Sequence, residues 1–191
     1  MFKPETNLQV PLIPIVGDGF FFPYLVNLSV KKKILGLSHI NINFLDDTGF
    51  SLLQGNGKVL YLRKKKRIIT DPAGLPLHTL QEKTLSWHNT RKVYNAESSD
   101  RNDLLYIIKR SSTIQMKMQL DLFLDSSING EICDFHVKGS LDTLIAEVKE
   151  RFKLGSFFNG RENFEVRVYP GVDYAFIISI LIIYNEIYRE S

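Results

Sequence analysis

The chain has 191 residues, 44% of them hydrophobic and 12% aromatic, with a net charge of +3. That content excludes wholesale disorder, and the length is most simply one domain. A charge this weakly basic does not by itself point to nucleic acid or membrane as a partner, and the one cysteine, Cys133, excludes an internal disulfide.

The first stretch, Met1–Pro23, reads as an arm. Pro4, Pro11, Pro14 and Pro23 punctuate it, and proline excludes regular helix or central strand. Phe20-Phe21-Phe22 are placed to tack it onto the domain that follows, residues 24–191. The start of the arm lacks the charged-then-apolar pattern of a signal peptide, so a reducing, cytoplasmic setting is expected. The sequon Asn27-Leu28-Ser29 is then idle.

From Tyr24 onward short alternating segments recur at about 8–12-residue spacing, the pattern of an all-β chain. Leu25–Val30, Lys33–Leu37 and Ile40–Leu45 come first, and Asp46-Asp47-Thr48-Gly49 is turn chemistry. Phe50–Gln54 and Lys58–Leu62 flank Gly55-Asn56-Gly57, which reads as a hairpin. Arg67–Thr70 leads into a turn at Asp71-Pro72-Ala73-Gly74. Leu77–Lys83, Arg91–Glu97, Leu104–Lys109, Lys117–Leu124 and Ile132–Lys138 follow as strands. Thr143–Arg151 fits strand or helix, and Phe164–Tyr169 alternates cleanly.

The last element organises the rest. From Tyr174 to Tyr184 only Ser179 interrupts an apolar run. A helix that is apolar all round must be enclosed by protein or lipid. Eleven residues fall short of the ~20 that cross a bilayer and exceed the roughly 4–8 of a buried strand. Asp173 after the Pro170-Gly171 turn is a natural N-cap, and Glu186, Arg189 and Glu190 make a polar exit. The expected fold is therefore mainly β: an antiparallel barrel of about twelve strands closed around a buried C-terminal helix.

No catalytic, cofactor or metal motif stands out. There is no phosphate-binding glycine loop and no Gly-x-Ser-x-Gly elbow, and Gly17-Asp18-Gly19 lacks the third glycine of a dinucleotide site. No nucleophile–base pair is visible. Cys133 and His136 are three apart, which on a strand sets them on opposite faces, so the reading is a core thiol and a surface histidine. Asp46-Asp47 read as turn formers, and Asp121 with Asp125 as a solvated face.

Two basic clusters carry the functional argument. Lys31-Lys32-Lys33 lies between two expected strands, and Arg63-Lys64-Lys65-Lys66-Arg67 at a hairpin end. Five consecutive cations repel one another, so that tip should be solvated. The plain reading is a soluble turn; the sharper one is a site for anionic phospholipid or phosphoinositide, at ~1 kcal/mol per Lys or Arg near an anionic surface. Nuclear import or nucleic-acid contact is the rival reading. Interleaved aromatics would favour nucleic acid, and Tyr61 alone is close by.

Four stretches together resemble the plant LURP-one-related proteins, whose fold is similar to the tubby C-terminal domain. They are Val30-Lys31-Lys32-Lys33-Ile34-Leu35-Gly36-Leu37-Ser38; Asp71-Pro72-Ala73-Gly74-Leu75-Pro76-Leu77; Glu97-Ser98-Ser99-Asp100 with Leu104-Leu105 and Lys109-Arg110-Ser111-Ser112; and Asn163-Phe164 through Tyr169-Pro170 to Val172–Ile177 and Asn185-Glu186-Ile187. The likeness implies a twelve-stranded, tubby-like barrel and kinship with phospholipid scramblases and with tubby-type, membrane-tethered transcription factors. It supplies no reaction to carry over and has links to plant defence; with no catalytic constellation in the chain, the expectation is a non-enzymatic, monomeric module binding lipid or a protein partner, at the membrane surface or in the nucleus. One departure matters. The family has a further strand between its Val-Lys-Gly-Ser stretch and the next Asp-Thr, but here Val137-Lys138-Gly139-Ser140 runs through Leu141 straight into Asp142-Thr143. A tight hairpin of Ile132–Lys138 with Thr143–Arg151 is expected, leaving the barrel one strand short, with a gap beside it and reduced stability.

Overall fold

The computed structural model describes residues 14–35, 39–58, 66–83, 89–111, 118–125, 133–140, 143–148, 153–157 and 163–189. Its strands are β1 (Val26–Leu35), β2 (His39–Leu45), β3 (Ser51–Lys58), β4 (Lys66–Thr70), β5 (Pro76–Glu82) and β6 (Arg91–Asn95). They continue with β7 (Leu104–Arg110), β8 (Met118–Leu124), β9 (Phe135–Ser140), β10 (Thr143–Val148), β11 (Lys153–Phe157) and β12 (Asn163–Val168). One helix, α1 (Tyr174–Arg189), follows. Each strand pairs antiparallel with its neighbours in sequence, and β12 returns to pair with β1 from Val26↔Val168 to Lys31↔Asn163, closing the barrel.

The wall alternates as a half-buried antiparallel sheet must. Val26, Leu28 and Val30 of β1, Leu120 and Leu122 of β8, and Val166 and Val168 of β12 point inward against the helix. Inside, every residue from Ala175 to Tyr184 is buried. Isoleucine costs a few tenths of a kcal/mol in helix propensity, whereas burying each contributes about 1.5–3 kcal/mol, so the enclosed helix is the better state. Asp173 caps it as expected: its Oδ1 accepts the Phe176 amide at 2.9 Å. The Asp46 turn also forms as read, with Asp46 Oδ1 accepting the amides of Thr48 and Phe50, both at 2.9 Å.

Three expectations change. Lys31-Lys32-Lys33 does not separate two strands; β1 runs through it, and its ladder with β2 is unbroken from Ser29↔Leu45 to Leu35↔His39. Nor is Gly55-Asn56-Gly57 a hairpin, because β3 passes through it, paired with Ile42, Asn41 and Ile40 on one side and Ile69, Ile68 and Arg67 on the other. The glycine serves a close approach: a Cβ on Gly55 would sit 3.3 Å from Ile69 Cδ1 and 3.5 Å from Ile182 Cδ1 of the helix.

The third change concerns the strand count. The hairpin of β9 with β10 is present, with Ser140↔Thr143 at its turn. The missing strand and the gap are not. β11 pairs with β10 from Thr143↔Phe157 to Glu147↔Lys153 and with β12 at Ser156↔Val166 and Phe157↔Glu165. Among the described residues it brings the total to twelve. An antiparallel meander closes only with an even number of strands, so β11 restores the parity that the short Gly139–Thr143 connection threatened. Lys153-Leu154-Gly155-Ser156-Phe157 escapes a sequence reading because its apolar residues are three apart and a glycine sits at its centre.

The barrel has two ends. At the helix-entry rim lie residues 14–25, the turns after β2, β4 and β6, and the start of α1. At the helix-exit rim lie the ends of β1, β3 and β5, the starts of β2, β4 and β6, and the last turn of α1.

Candidate functional site

The register brings Lys31–Lys33 of β1 and Lys66 of β4 toward the helix-exit rim. Lys33 stands opposite Asn41, Asn41 opposite Asn56, and Asn56 opposite Ile68, one row crossing β1 to β4. Three inter-strand steps of ~4.7–4.9 Å set β1 and β4 about 14 Å apart. Lys31 is exposed on the wall. β3 ends at Lys58 and β4 begins at Lys66, so the chain carrying Arg63, Lys64 and Lys65 leaves from this rim and returns to it. Those three residues lie outside the described ones, as do the side chains of Lys32 and Lys33.

Arg67 does not share the solvated tip expected for residues 63–67. It is buried, and its Nε and Nη2 both donate to Glu186 Oε1, at 2.9 and 2.7 Å. Arg91, 1% exposed, adds a second guanidinium: its Nε lies 4.0 Å from Glu186 Oε2 and its Nη1 3.5 Å from Glu82 Oε1. Strand periodicity explains the arrangement, since inward positions of β4 and β6 face the last turns of α1. The polar exit of the helix is therefore a charged plug inside the barrel mouth. The sequence offered no sign of it, because Arg67 and Glu186 are 119 positions apart.

The apolar run's one interruption is also explained. Ser179 Oγ donates to the Ala175 carbonyl at 2.8 Å and lies 2.5 Å from His78 Nε2. A serine–histidine pair at that distance invites a nucleophile–base reading. The hydroxyl has one proton, already given to Ala175, so Nε2–H is the donor and the imidazole is not positioned as a base. Both residues are completely buried, and desolvation pushes the His78 pKa down to about 3, keeping the ring neutral.

A second cluster stands on the outer wall. Cys133 and His136 are not on opposite faces, because Cys133 precedes β9, with a bend at Asp134 between, and escapes strand alternation. Its Sγ lies 3.8 Å from His136 Nδ1, and the same nitrogen lies 2.7 Å from Asp121 Oδ1 across the β8–β9 pair. Asp121 is thus tied to His136, a contact that its expected place on a solvated face with Asp125 did not include. In a nucleophilic triad the thiol and the carboxylate engage different ring nitrogens. Here both approach Nδ1. Burial, then the Asp121 carboxylate, push the thiol pKa up, the wrong direction for a nucleophilic cysteine.

At the entry rim Asp173 Oδ2 accepts the amides of Ile15 and Val16 at 3.0 and 2.8 Å, and burial pushes its pKa up against those bonds. Phe22 stacks on Tyr174 with ring centres 4.9 Å apart, and Phe20 meets the same ring edge-on at 5.5 Å. Among the described residues no helix is long and apolar enough to cross a membrane.

A family described as LURP-one-related matches residues 26–185. The chain is 39% identical to LURP-one-related 10 of Arabidopsis thaliana, covering 93% of this chain and 97% of that one. It is 36% identical to LURP-one-related 15 of the same plant, covering 93% and 87%. An X-ray structure of an Arabidopsis thaliana protein superposes with a TM-score of 0.71 at 30% identity, over 91% of this chain and 97% of that chain.

Proposed function

Since the chain belongs to the LURP-one-related family, we propose that it is a non-enzymatic binding module whose helix-exit rim reads anionic phospholipid headgroups, phosphoinositides foremost. The observation that carries this reading is that Lys31–Lys33 on β1 and Lys66, which opens β4 directly after Arg63-Lys64-Lys65 in the sequence, lie toward one end of a closed barrel. Residues 24–191 form the binding unit, and the arm seals its opposite end. The barrel is a rigid mount: basic side chains meet phosphates while the wall pays no ordering entropy on binding. Arg67 is a strut within this scheme, since Glu186 already holds its guanidinium. The kinship with tubby-type proteins and scramblases that the sequence resemblance implies points the same way, and the setting that goes with this reading is the cytoplasmic face of a membrane, in defence signalling.

Vesicle co-sedimentation tests the reading. Vesicles of phosphatidylcholine, of phosphatidylcholine with phosphatidylserine, and of phosphatidylcholine with a phosphoinositide are compared with duplex DNA at matched salt. Phosphoinositide binding above serine lipid at equal surface charge is expected. Equal binding to every polyanion, with a steep salt slope, would favour the nucleic-acid reading, and binding to a protein partner alone would replace both.

A further inference from the structure

Asp121, Cys133 and His136 present three different donor atoms that all lie within 4.8 Å of one another. The Sγ···Nδ1 distance is 3.8 Å and the Nδ1···Oδ1 distance 2.7 Å. All three side chains are half-buried on the outer wall. We propose that they form a binding site for a zinc-class divalent metal, with the remaining coordination position left to water.

Two of the three donor spacings lie near those of a tetrahedral site, and the third is no more than 4.8 Å. Zn–S, Zn–N and Zn–O bonds of ~2.3, ~2.0–2.1 and ~2.0–2.2 Å in a tetrahedron set ligand atoms about 3.4–3.6 Å apart. The sulfur and nitrogen are already close to that spacing. The carboxylate needs to retreat by about 0.7 Å from the imidazole, which a side-chain rotation supplies. Both Cys133 and Asp121 aim at the same ring nitrogen. That arrangement is wrong for proton relay and right for donors converging on one point.

The donor chemistry selects the ion class. A thiolate and an imidazole exclude calcium and magnesium, which take oxygen ligands. Cys133 Sγ now lies 3.0 Å from the Phe135 carbonyl and 3.3 Å from that of Leu122. Binding exchanges the thiol proton for the metal: the S–H bond breaks, a metal–sulfur bond forms, and one proton leaves to solvent. Asp134 is not a fourth donor, since its Oδ2 accepts the Leu124 amide at 2.8 Å. Occupancy would pin the Cys133 end of the β8–β9 connection against β8.

The test is a cobalt titration of the full chain. Cys133 is the one cysteine in the sequence. A thiolate-to-cobalt charge-transfer band therefore reports on this site alone. The parent should show that band together with visible transitions of tetrahedral intensity, and zinc should abolish both. Cys133→Ser should remove the charge-transfer band. His136→Ala and the nearly isosteric Asp121→Asn should each weaken binding by at least the ~10–100-fold that losing an outer partner of a ligand costs. Because all three groups are on the outer wall, the variants should melt like the parent. Absence of the band in the parent overturns the proposal. So does a band that persists at parental affinity in both His136→Ala and Asp121→Asn, since cobalt would then be held by the thiol alone.

Discussion

The two ends of the barrel are built in opposite ways. At the entry rim a carboxylate, Asp173, is held by backbone amides of its own helix and of the arm, and aromatic rings of the arm pack on the neighbouring Tyr174. At the exit rim a carboxylate, Glu186, is held by the guanidinium of Arg67, with Arg91 beside it. Their outer surfaces differ as well. The exposed large apolar side chains of the described residues, Tyr24, Leu25, Phe50, Leu75 and Tyr169, all lie at the entry rim, alongside the Asp46 and Asp71 turns. The basic clusters approach the other rim. Under the proposed function, the exit rim is the end that meets an anionic surface and the apolar entry rim the end that faces away from it.

The largest effect comes from breaking the helix common to both ends. Ile180 is 2% exposed, and Ile180→Asp should abolish folding, because an unpaired buried charge exceeds what a domain with ~5–15 kcal/mol of stability can absorb. Soluble expression with a parental melting transition would show that this run is not interior.

The exit end should be the more sensitive of the two. Glu186→Ala leaves Arg67 and Arg91 without their shared carboxylate and should cost ~3–5 kcal/mol by chemical denaturation. Asp173→Ala removes a cap and two arm contacts and should cost about 2 kcal/mol, the upper end for a cap. A larger loss at Asp173 than at Glu186 would reverse the comparison.

Between the ends, His78 makes the interior acid-sensitive. Its pKa is about 3 in the fold against an ordinary value of 6.5. Below pH 6.5 the unfolded chain therefore binds a proton that the folded chain refuses, and stability falls as pH falls toward 3. The slope approaches ~1.4 kcal/mol per pH unit. Asp173 acts oppositely, since its pKa is raised: the unfolded chain loses the proton first, and stability falls as pH rises above 3.8. Comparing the parent with His78→Gln across this window cancels Asp173. The variant, which can still donate to Ser179, should show a flatter acid limb in urea midpoints.

The smallest effect on stability belongs to the basic tip. Changing Lys64, Lys65 and Lys66 to Ser should leave the urea midpoint within ~0.5 kcal/mol of the parent, as for most surface substitutions. The same triple variant should lose most of its affinity for phosphoinositide vesicles. Parental binding would remove the tip from the account.

What was legible in the sequence followed from local chemistry. The Tyr174–Tyr184 run, the Asp173 cap and the Asp46 and Asp71 turns each depend on residues within a few positions, and strand alternation gave the mainly β wall. Long-range features were silent. Nothing near Arg67 marks it as different from Lys66, and only the register with Leu80 and the reach of Glu186 turn it inward. Gly55 looked like a turn because glycine marks turns and close approaches alike. β11 carried too little apolar pattern to register as a strand, and its existence follows from closure. The Asp121–Cys133–His136 cluster was lost by extending strand alternation one bend too far.

The polarity of the barrel is tested most directly by a single fluorophore placed at either end, in a Cys133→Ser background. Asn56 is exposed on the row that carries Lys33, and Leu75, 64% exposed, is at the entry rim. Each is changed to Cys, labelled, and mixed with phosphoinositide vesicles that carry spin-labelled headgroups. Quenching at position 56 with none at position 75 is the predicted result. Quenching confined to position 75 would show that the apolar, acidic end meets the lipid, and would contradict the account.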